Sequence, residues 1–385
     1  MAGEDDADFF TDAGIVQAPM PYFEGLRSRC PVMREQHHGA IMVTGYDAAM
    51  EVLGQKGHIF SNCVSVAGPI PSLPFEPEGD DIRDQLDRHR DALPWSAHLV
   101  SFDGDRHAAH RALITRLLTH GRLKQNEAYL YGLADRLIDQ FIARGGCEVV
   151  TEFAHPTSTL AIADLLGIPD EDRHELLDLL GAPPTSIEGD PEHKVGPDPL
   201  AFLEERFLGY IRERRNRPRD DLMSELVQSR FKDGSEPDDA TLGRLARFTF
   251  GAGQDTSARL IAAAIRVLAE DAELQARLRR ERDRIPDFIE EVLRIEAPTK
   301  VNFRLAQQST TIADVPVPAG SVITVALLGA NHDPAHFENP EIFDIDRPRL
   351  RDHLAFSRGG PCLSRCAARA AGSADRDRAF AGPHG

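Results

Sequence analysis

The sequence is short of several things, and each shortage removes a class of function. Basic residues are outnumbered: 44 Lys and Arg stand against 62 Asp and Glu, a formal net charge of −18 at pH 7. Phosphate backbones are held by clustered cations, so nucleic acid is not an expected partner. Long apolar runs are missing. None approaches the roughly 18 residues that mark a bilayer span, so no membrane partner is expected either. The N-terminus, Met1-Ala-Gly-Glu-Asp-Asp-Ala-Asp8, is acidic rather than signal-like, and the expected location is cytoplasmic. Cysteines are few: Cys30, Cys63, Cys147, Cys362 and Cys366. An odd, sparse set does not make a disulfide framework. Cys362 and Cys366 have a C-x₃-C spacing, but no second Cys/His cluster lies nearby to close a zinc site. Internal repeats and long low-complexity segments are absent as well.

What is present suits a large enzyme. The apolar fraction of 41% supports a substantial core. A length of 385 residues allows two or three domains. One domain, 1–385, is the expectation, because the strand Gly39–Thr44 has no local partner and must pair with strands near the other end. A helix is expected from Asp47 to Leu53, capped at its start. Residues 64–96 carry Pro69, Pro71, Pro74 and Pro77 and read as a long covering loop. Helices are expected at 105–118, 124–144, 158–166, 170–180, 199–216 and 220–230. The piece Gly181–Pro199 reads as a lid. Helix continues to about Arg284 and again over 287–295, after which residues 310–327 read as short strands around a Pro-Ala-Gly turn. The class is mainly α with small β-sheets.

The centre of the chain is the run Leu242–Leu268, apolar enough to be a helix buried on most sides. Gly251 and Gly253 weaken it, each by roughly 1 kcal/mol relative to Ala. Asp255 and Thr256 stand beside them. Small residues leave room for a flat or small group to approach the backbone, and an acid next to an alcohol can pass protons. Taken alone, the stretch reads equally well as a helix–helix crossing with a polar bend. Other pieces are weaker singly. Glu291 and Arg294 share a helical face, which by itself means an ordinary ion pair. His107 and Arg111 share another and could grip an anion. Arg304, among Val301-Asn-Phe-Arg-Leu-Ala306, needs an anionic partner if buried.

In order and spacing these pieces resemble the cytochromes P-450, the haem-thiolate monooxygenases, of the soluble bacterial type. The resemblance runs from about residue 20 to Phe356 through His107-x₃-Arg111, Ala252-Gly-x-Asp-Thr256, Glu291-x-x-Arg294, Arg304, Ala330-Asn-His-Asp-Pro-Ala-His-Phe337 with Arg347, and His353-Leu-Ala-Phe356. It implies haem b as cofactor, dioxygen and a small hydrophobic molecule as substrates, and a ferredoxin as electron donor. It implies that His107, Arg111, Arg304 and His353 hold the haem propionates, and that Asp255 and Thr256 deliver protons during oxygen activation. It gives Ala252 and Gly253 the task of leaving room for oxygen. Glu291, Arg294 and Arg347 become a structural network, and Phe248, Val301 and Asn302 substrate contacts.

The pattern breaks at its last motif. The family ligand loop is Phe-x-x-Gly-x-x-x-Cys-x-Gly, and its Cys thiolate binds the iron. Here the chain reads Phe356-Ser-Arg-Gly-Gly-Pro-Cys-Leu-Ser-Arg-Cys366. Leu363 holds the ligand position, Cys362 comes one residue early, and Arg365 stands where glycine is expected. Residues 357–385 form an atypical tail, and the chain stops about a helix and several strands before the family pattern would. One permitted back-translation of Gly360–Ala370, read one base later, gives Val-His-Ala-Cys-Pro-Gly-Ala-Pro-Leu-Ala-Arg. That string is the expected ligand loop, with Cys in the place of Leu363. The tail therefore reads as an out-of-frame translation. The alternative is a haem-free or inactive relative, acting as a helper or scaffold or as a pseudogene product.

Overall fold

Strands from the two ends of the sequence meet in one sheet. The computed structural model describes residues 7–55, 58–70, 72–115, 120–180 and 200–357. The expected lid, 181–199, and the tail after Ser357, with Cys362 and Leu363, lie outside these residues. The strands are β1 (Val32–Arg34), β2 (Ile41–Val43), β3 (Phe60–Ser61), β4 (Asn302–Ala306), β5 (Thr310–Ile312), β6 (Val315–Val317) and β7 (Val322–Val325). Five of them lie in the order β1-β2-β7-β4-β3, and β5 pairs with β6 separately. β2 runs parallel to β7, with Ile41, Met42 and Val43 opposite Ile323, Thr324 and Val325. The neighbouring pairs are antiparallel. The alternate residues Ile41, Val43, Ile323 and Val325 fall in one buried cluster with Val32, Val52 and Phe337, as the period of two requires.

Helices make up the rest. They are α1 (Ala13–Gln17), α2 (Met20–Arg29), α3 (Tyr46–Gly54), α4 (Arg83–His89), α5 (Gly104–Thr115), α6 (His120–Phe141), α7 (His155–Leu166), α8 (Asp170–Leu180), α9 (Glu204–Asn216), α10 (Leu222–Gln228), α11 (Asp239–Glu270), α12 (Ala272–Arg280), α13 (Ile285–Glu296) and α14 (Leu327–Asn331). Two sequence expectations change. The 64–96 segment is not all loop: it carries α4 and a 3-10 turn at Arg90–Ala92. It is tied down where Asp81 bridges Gln308, and Leu86 is fully buried. The helix at 46–54 has no side-chain cap of its own. Its first free N–H, on Tyr46, donates to Asp333 Oδ2 at 2.8 Å, a partner 287 residues away.

The central helix α11 is 32 residues long. Asp238 caps its start, accepting from Thr241 N at 2.6 Å, and Asp271 at its end caps α12 in turn. It packs against α7, α9 and α13. Its apolar stripe, Leu242, Leu245, Ala246 and Phe250, closes a second core with Phe207, Ile211, Leu166 and Met223. Below this core a buried guanidinium ties three helices together. Arg214 donates to Asp221 Oδ2 at 2.6 Å and to the Gly167 carbonyl at 2.6 Å, while Asp221 also caps α10. Gly167 ends α7 with φ +78°, and a Cβ there would lie 2.4 Å from the Asp221 side chain. Only glycine satisfies both conditions.

Candidate active site

Helix α11 is not buried on all sides. Ala252 and Arg259 are exposed and Asp255 and Thr256 partly so, which leaves one face of the helix open along these turns. Successive helical residues point about 100° apart, and this separates the two small residues that the sequence grouped. Ala252 lies on the open face. Gly253 faces α7 instead: a Cβ there would meet Ile162 Cδ1 at 3.2 Å and Cγ1 at 3.3 Å. Gly253 therefore serves the helix–helix crossing, and of the two only Ala252 is placed to leave space beside the acid and alcohol.

Thr256 Oγ1 donates to the Ala252 carbonyl at 2.8 Å, the i−4 back-bond common for helical threonine. Asp255 is held by Arg259, one turn on, with Nε 3.0 Å from both carboxylate oxygens. Both groups are well exposed, so the pair is worth a few tenths of a kcal/mol and opens easily. Arg259 was not singled out from the sequence, although its i, i+4 spacing from Asp255 is the signal that would have found it.

Two guanidinium groups and an imidazole approach one another from α5 and β4. His107 and Arg111 stand one turn apart on α5. Burial, and then the neighbouring Arg111 charge, push the His107 ring below its usual value, so it is neutral at pH 7. Arg304 adds a smaller push of the same sign, which places it in the same group. Its own side chain is 4% exposed, and burial pulls its guanidinium down to about 10. Its hydrogen bonds go to neutral oxygens, Asn302 Oδ1 and the Phe303 carbonyl. Among the described residues no carboxylate lies within ion-pair distance of it. The charge of Asp103 supports it only from beyond ion-pair distance and does not offset the burial; a buried cation so weakly compensated is costly, and this arrangement fits a ligand that brings its own carboxylates. Asn302 Oδ1 accepts from Arg304, two residues on, so both side chains lie on one face of β4. Val301 packs in a cluster with Leu260 and Phe356.

His353 departs from the expected set. Its Nε2 lies 2.9 Å from Glu290 Oε2, and its Nδ1 accepts from the Ala355 N–H at 3.3 Å. Both ring nitrogens are engaged within the protein. Glu290 gave no signal in the sequence beyond its place beside Glu291.

Glu291 and Arg294 are fully buried, not an exposed pair. Arg294 Nε and Nη2 reach the two Glu291 oxygens at 2.8 Å each. Arg347 Nε joins Glu291 at 3.2 Å. The remaining guanidinium protons go to the carbonyls of Asn331, Pro340, Ile342, Asn339 and Glu338. Asn331 Oδ1 in turn takes the Leu354 N–H at 2.6 Å. All five Arg294 donors have an acceptor, which is the condition under which a buried ion pair holds a fold, while the Asn331 amide nitrogen is left without a partner among the described residues. It fixes residues 331–354 against α13, immediately before the chain reaches its ligand-loop segment.

The fold and the ordered motifs are those of a haem monooxygenase class, and comparison with known proteins agrees. Residues 198–359 match the Cytochrome P450 family model. The chain belongs to the cytochrome P450 family. It is 30% identical over 375 residues to cytochrome P450 144 of Mycobacterium tuberculosis, covering 94% of this chain and 83% of that protein. Among solved structures it is similar to substrate-free CYP150A6 of Mycobacterium marinum, with 42% identity and a TM-score of 0.87 over 98% of this chain and 89% of that one. It is also similar to CYP109E1 of Bacillus megaterium in complex with testosterone, with 28% identity and a TM-score of 0.73 over 94% and 89%. The family's oxidoreductase chemistry, haem and iron follow from membership. No described helix is long and apolar enough to cross a membrane.

Proposed function

We propose that this sequence encodes a haem-dependent monooxygenase that inserts one oxygen atom from dioxygen into a small hydrophobic molecule. The observation that carries the proposal is Arg304, a buried guanidinium whose hydrogen bonds all go to neutral groups, beside His107 and Arg111. These three residues would hold the carboxylates of haem b. When bound, the haem would supply dioxygen activation, with two electrons coming from the redox partner and the second oxygen atom leaving as water. The chain's own part is proton management and exclusion of water. Asp255 is the acid that exchanges protons, once Arg259 releases it. The Thr256 hydroxyl, oriented by the Ala252 carbonyl, passes them to the open face of α11. His353 is a positioning residue, through Glu290, and not a propionate donor. A ferredoxin as electron donor, a cytoplasmic location and a single domain over 1–385 belong to the same proposal. The pairing of β2 with β7 supports the last of these. The testosterone complex of CYP109E1 supports a hydrophobic substrate.

One observation favours a second reading for this exact polypeptide. Leucine has no lone pair for iron, and Leu363 stands at the family's ligand position. We read the residues after Gly359 as an out-of-frame translation. The nucleotide sequence tests this directly, since codons that cannot yield the shifted string would refute it. The absorption spectrum of the purified chain, reduced and exposed to carbon monoxide, tests the function. A strongly red-shifted haem band means that a thiolate still binds iron, with Cys362 as the donor to replace by serine. Absence of any haem band means that this polypeptide keeps the site's residues without using them, as a scaffold or pseudogene product would. In that case Leu363→Cys together with Arg365→Gly should restore haem retention if only the loop is at fault.

A further inference from the structure

Helix α5 carries two pairs of basic residues at a spacing of four. His107 and Arg111 form one. Arg106 and His110 form the other, each one position earlier and so turned about 100° away from it. The second pair faces the start of α11 across a small cleft. Arg106, His110, Thr241 and Arg244 line this cleft, over a floor of Leu99 and Phe102. All three basic side chains are held in place. The Arg106 guanidinium lies 3.9 Å from the centre of the Phe102 ring. Arg244 Nη2 donates to Thr241 Oγ1 at 3.3 Å. The His110 ring stands edge-on to Phe102 at 4.8 Å and to Phe231 at 5.3 Å. Its Nδ1 lies 2.8 Å from the Arg106 carbonyl, which can only accept. Nδ1 therefore carries the proton, and Nε2 remains for a second partner.

Like charges converge here in a chain whose acids outnumber its bases by 62 to 44. Among the described residues neither Arg106 nor Arg244 has a carboxylate within ion-pair distance. Burial, then the Arg90 charge, push Arg106 below its usual value; Asp91 opposes them and Arg244 adds to them. Burial pushes the His110 ring down too. Its bond to the Arg106 carbonyl opposes this, Arg106 and Arg244 reinforce it, and Asp238 pulls the other way. The ring is neutral at pH 7. Arg90 is already paired with Asp87 and Asp103, and Asp238 is engaged in capping α11. Fixed cations without a matching anion cost the fold and attract a ligand. We propose that Arg106, His110 and Arg244 bind one inorganic hydrogen phosphate ion, which clamps the start of α5 to the start of α11. Guanidinium N–H groups match phosphate oxygens in charge and geometry. The neutral His110 Nε2 would accept from the hydroxyl that hydrogen phosphate retains. The cleft, about 30 Å³, admits a small oxyanion head and not the body of an ester. The site uses neither the open face of α11 nor His107, so it stands or falls apart from the monooxygenase reading.

Isothermal titration calorimetry of the full chain, as purified and at neutral pH, tests this with inorganic phosphate, sulfate and phenyl phosphate at matched ionic strength in chloride. Saturable phosphate binding is expected, with sulfate and phenyl phosphate each at least about tenfold weaker. Sulfate has no hydroxyl for Nε2, and phenyl phosphate carries a ring that the cleft does not hold. Arg106→Gln and Arg244→Gln should each weaken phosphate roughly ten- to a hundredfold, the share of a charge-assisted contact. His110→Phe keeps the ring packing and should erase the preference for phosphate over sulfate. Arg279→Gln, exposed on α12, should change nothing. No saturable phosphate binding, sulfate or phenyl phosphate binding as tightly, or unaltered affinity in both arginine variants would each overturn the site. If a variant fails to fold by circular dichroism, the comparison of the three anions on the unaltered chain still decides.

Discussion

Glu290 and His353 are joined across 2.9 Å, and through them helix α13 grips the chain four residues before its last described position, Ser357. Glu290 is the residue next to Glu291, so consecutive acids of one helix hold consecutive parts of one segment. Glu291 takes Arg347, and Glu290 takes His353. Replacing Glu290 with alanine leaves the buried His353 Nε2 without a partner, at a cost of about 1–3 kcal/mol. Hydrogen exchange should then speed up at the Ala355 amide, which bonds to the same ring. The Leu354 amide, held by Asn331, should keep its protection. Equal loss at both amides would mean that the pair has no local task.

Removing Glu291 is expected to be far more damaging. Glu291→Ala strands Arg294 and weakens Arg347, both buried, and should cost about 3–5 kcal/mol in denaturant unfolding. The double variant Glu291→Leu with Arg294→Met should recover part of that loss, because one of the two uncompensated cations is then gone and only Arg347 remains. Failure to recover would show that the carbonyl contacts of Arg294 matter more than its carboxylate.

Arg304 should behave in the opposite sense. Its charge is disfavoured in the fold, with burial pulling its guanidinium down to about 10, below the ordinary guanidinium range. The folded state therefore binds its proton less tightly than the unfolded chain. The penalty is full below about pH 10 and is relieved only as pH rises from there towards the ordinary guanidinium range. At neutral pH, Arg304→Met should stabilise the haem-free chain by about 1–4 kcal/mol. The same substitution should abolish haem retention in a chain whose ligand loop has been restored. A lower unfolding midpoint for the haem-free variant would contradict the view of Arg304 as an unpaired cation.

Gly167→Ala tests the tie below the second core. The new Cβ would press on Asp221 and force a left-handed alanine, so a loss of at least about 2 kcal/mol is expected. The Arg214–Asp221 pair should loosen with it, visible as faster exchange at the Ser224 amide that Asp221 caps. Gly234, also left-handed at φ +86° but with open space around it, is the control. Alanine there should cost only the backbone strain.

Much of this arrangement could be read from the sequence, because motifs at fixed spacing report local geometry. The length of α11, the pairing of Glu291 with Arg294 and the pairing of the early strand with late ones all follow from pattern. Most of what pattern does not report has one cause, a partner distant in sequence. Nothing near residue 46 announces that Asp333 caps α3. His353 looks like an anion donor until Glu290 occupies it. Gly253 looks like room for oxygen until Ile162 of α7 fills the space beside it. The helix α4 was hidden among prolines because its apolar signal is a single buried leucine, Leu86.

The parallel pairing of β2 with β7 has a consequence for how the chain is made. Residues 41–43 leave the ribosome about 280 residues before residues 323–325, the partners they pair with. Such a contact closes a very large loop, and it comes late in folding. Until then β1 and β2 form a two-stranded hairpin with one unpaired, apolar edge, a known hazard for association with other chains. A defect far downstream, before residue 322, would leave that edge permanently open. A defect after Gly359 would not. A polypeptide altered only in its tail can still complete the sheet, and so can persist in the cell as a folded protein whatever has become of its chemistry.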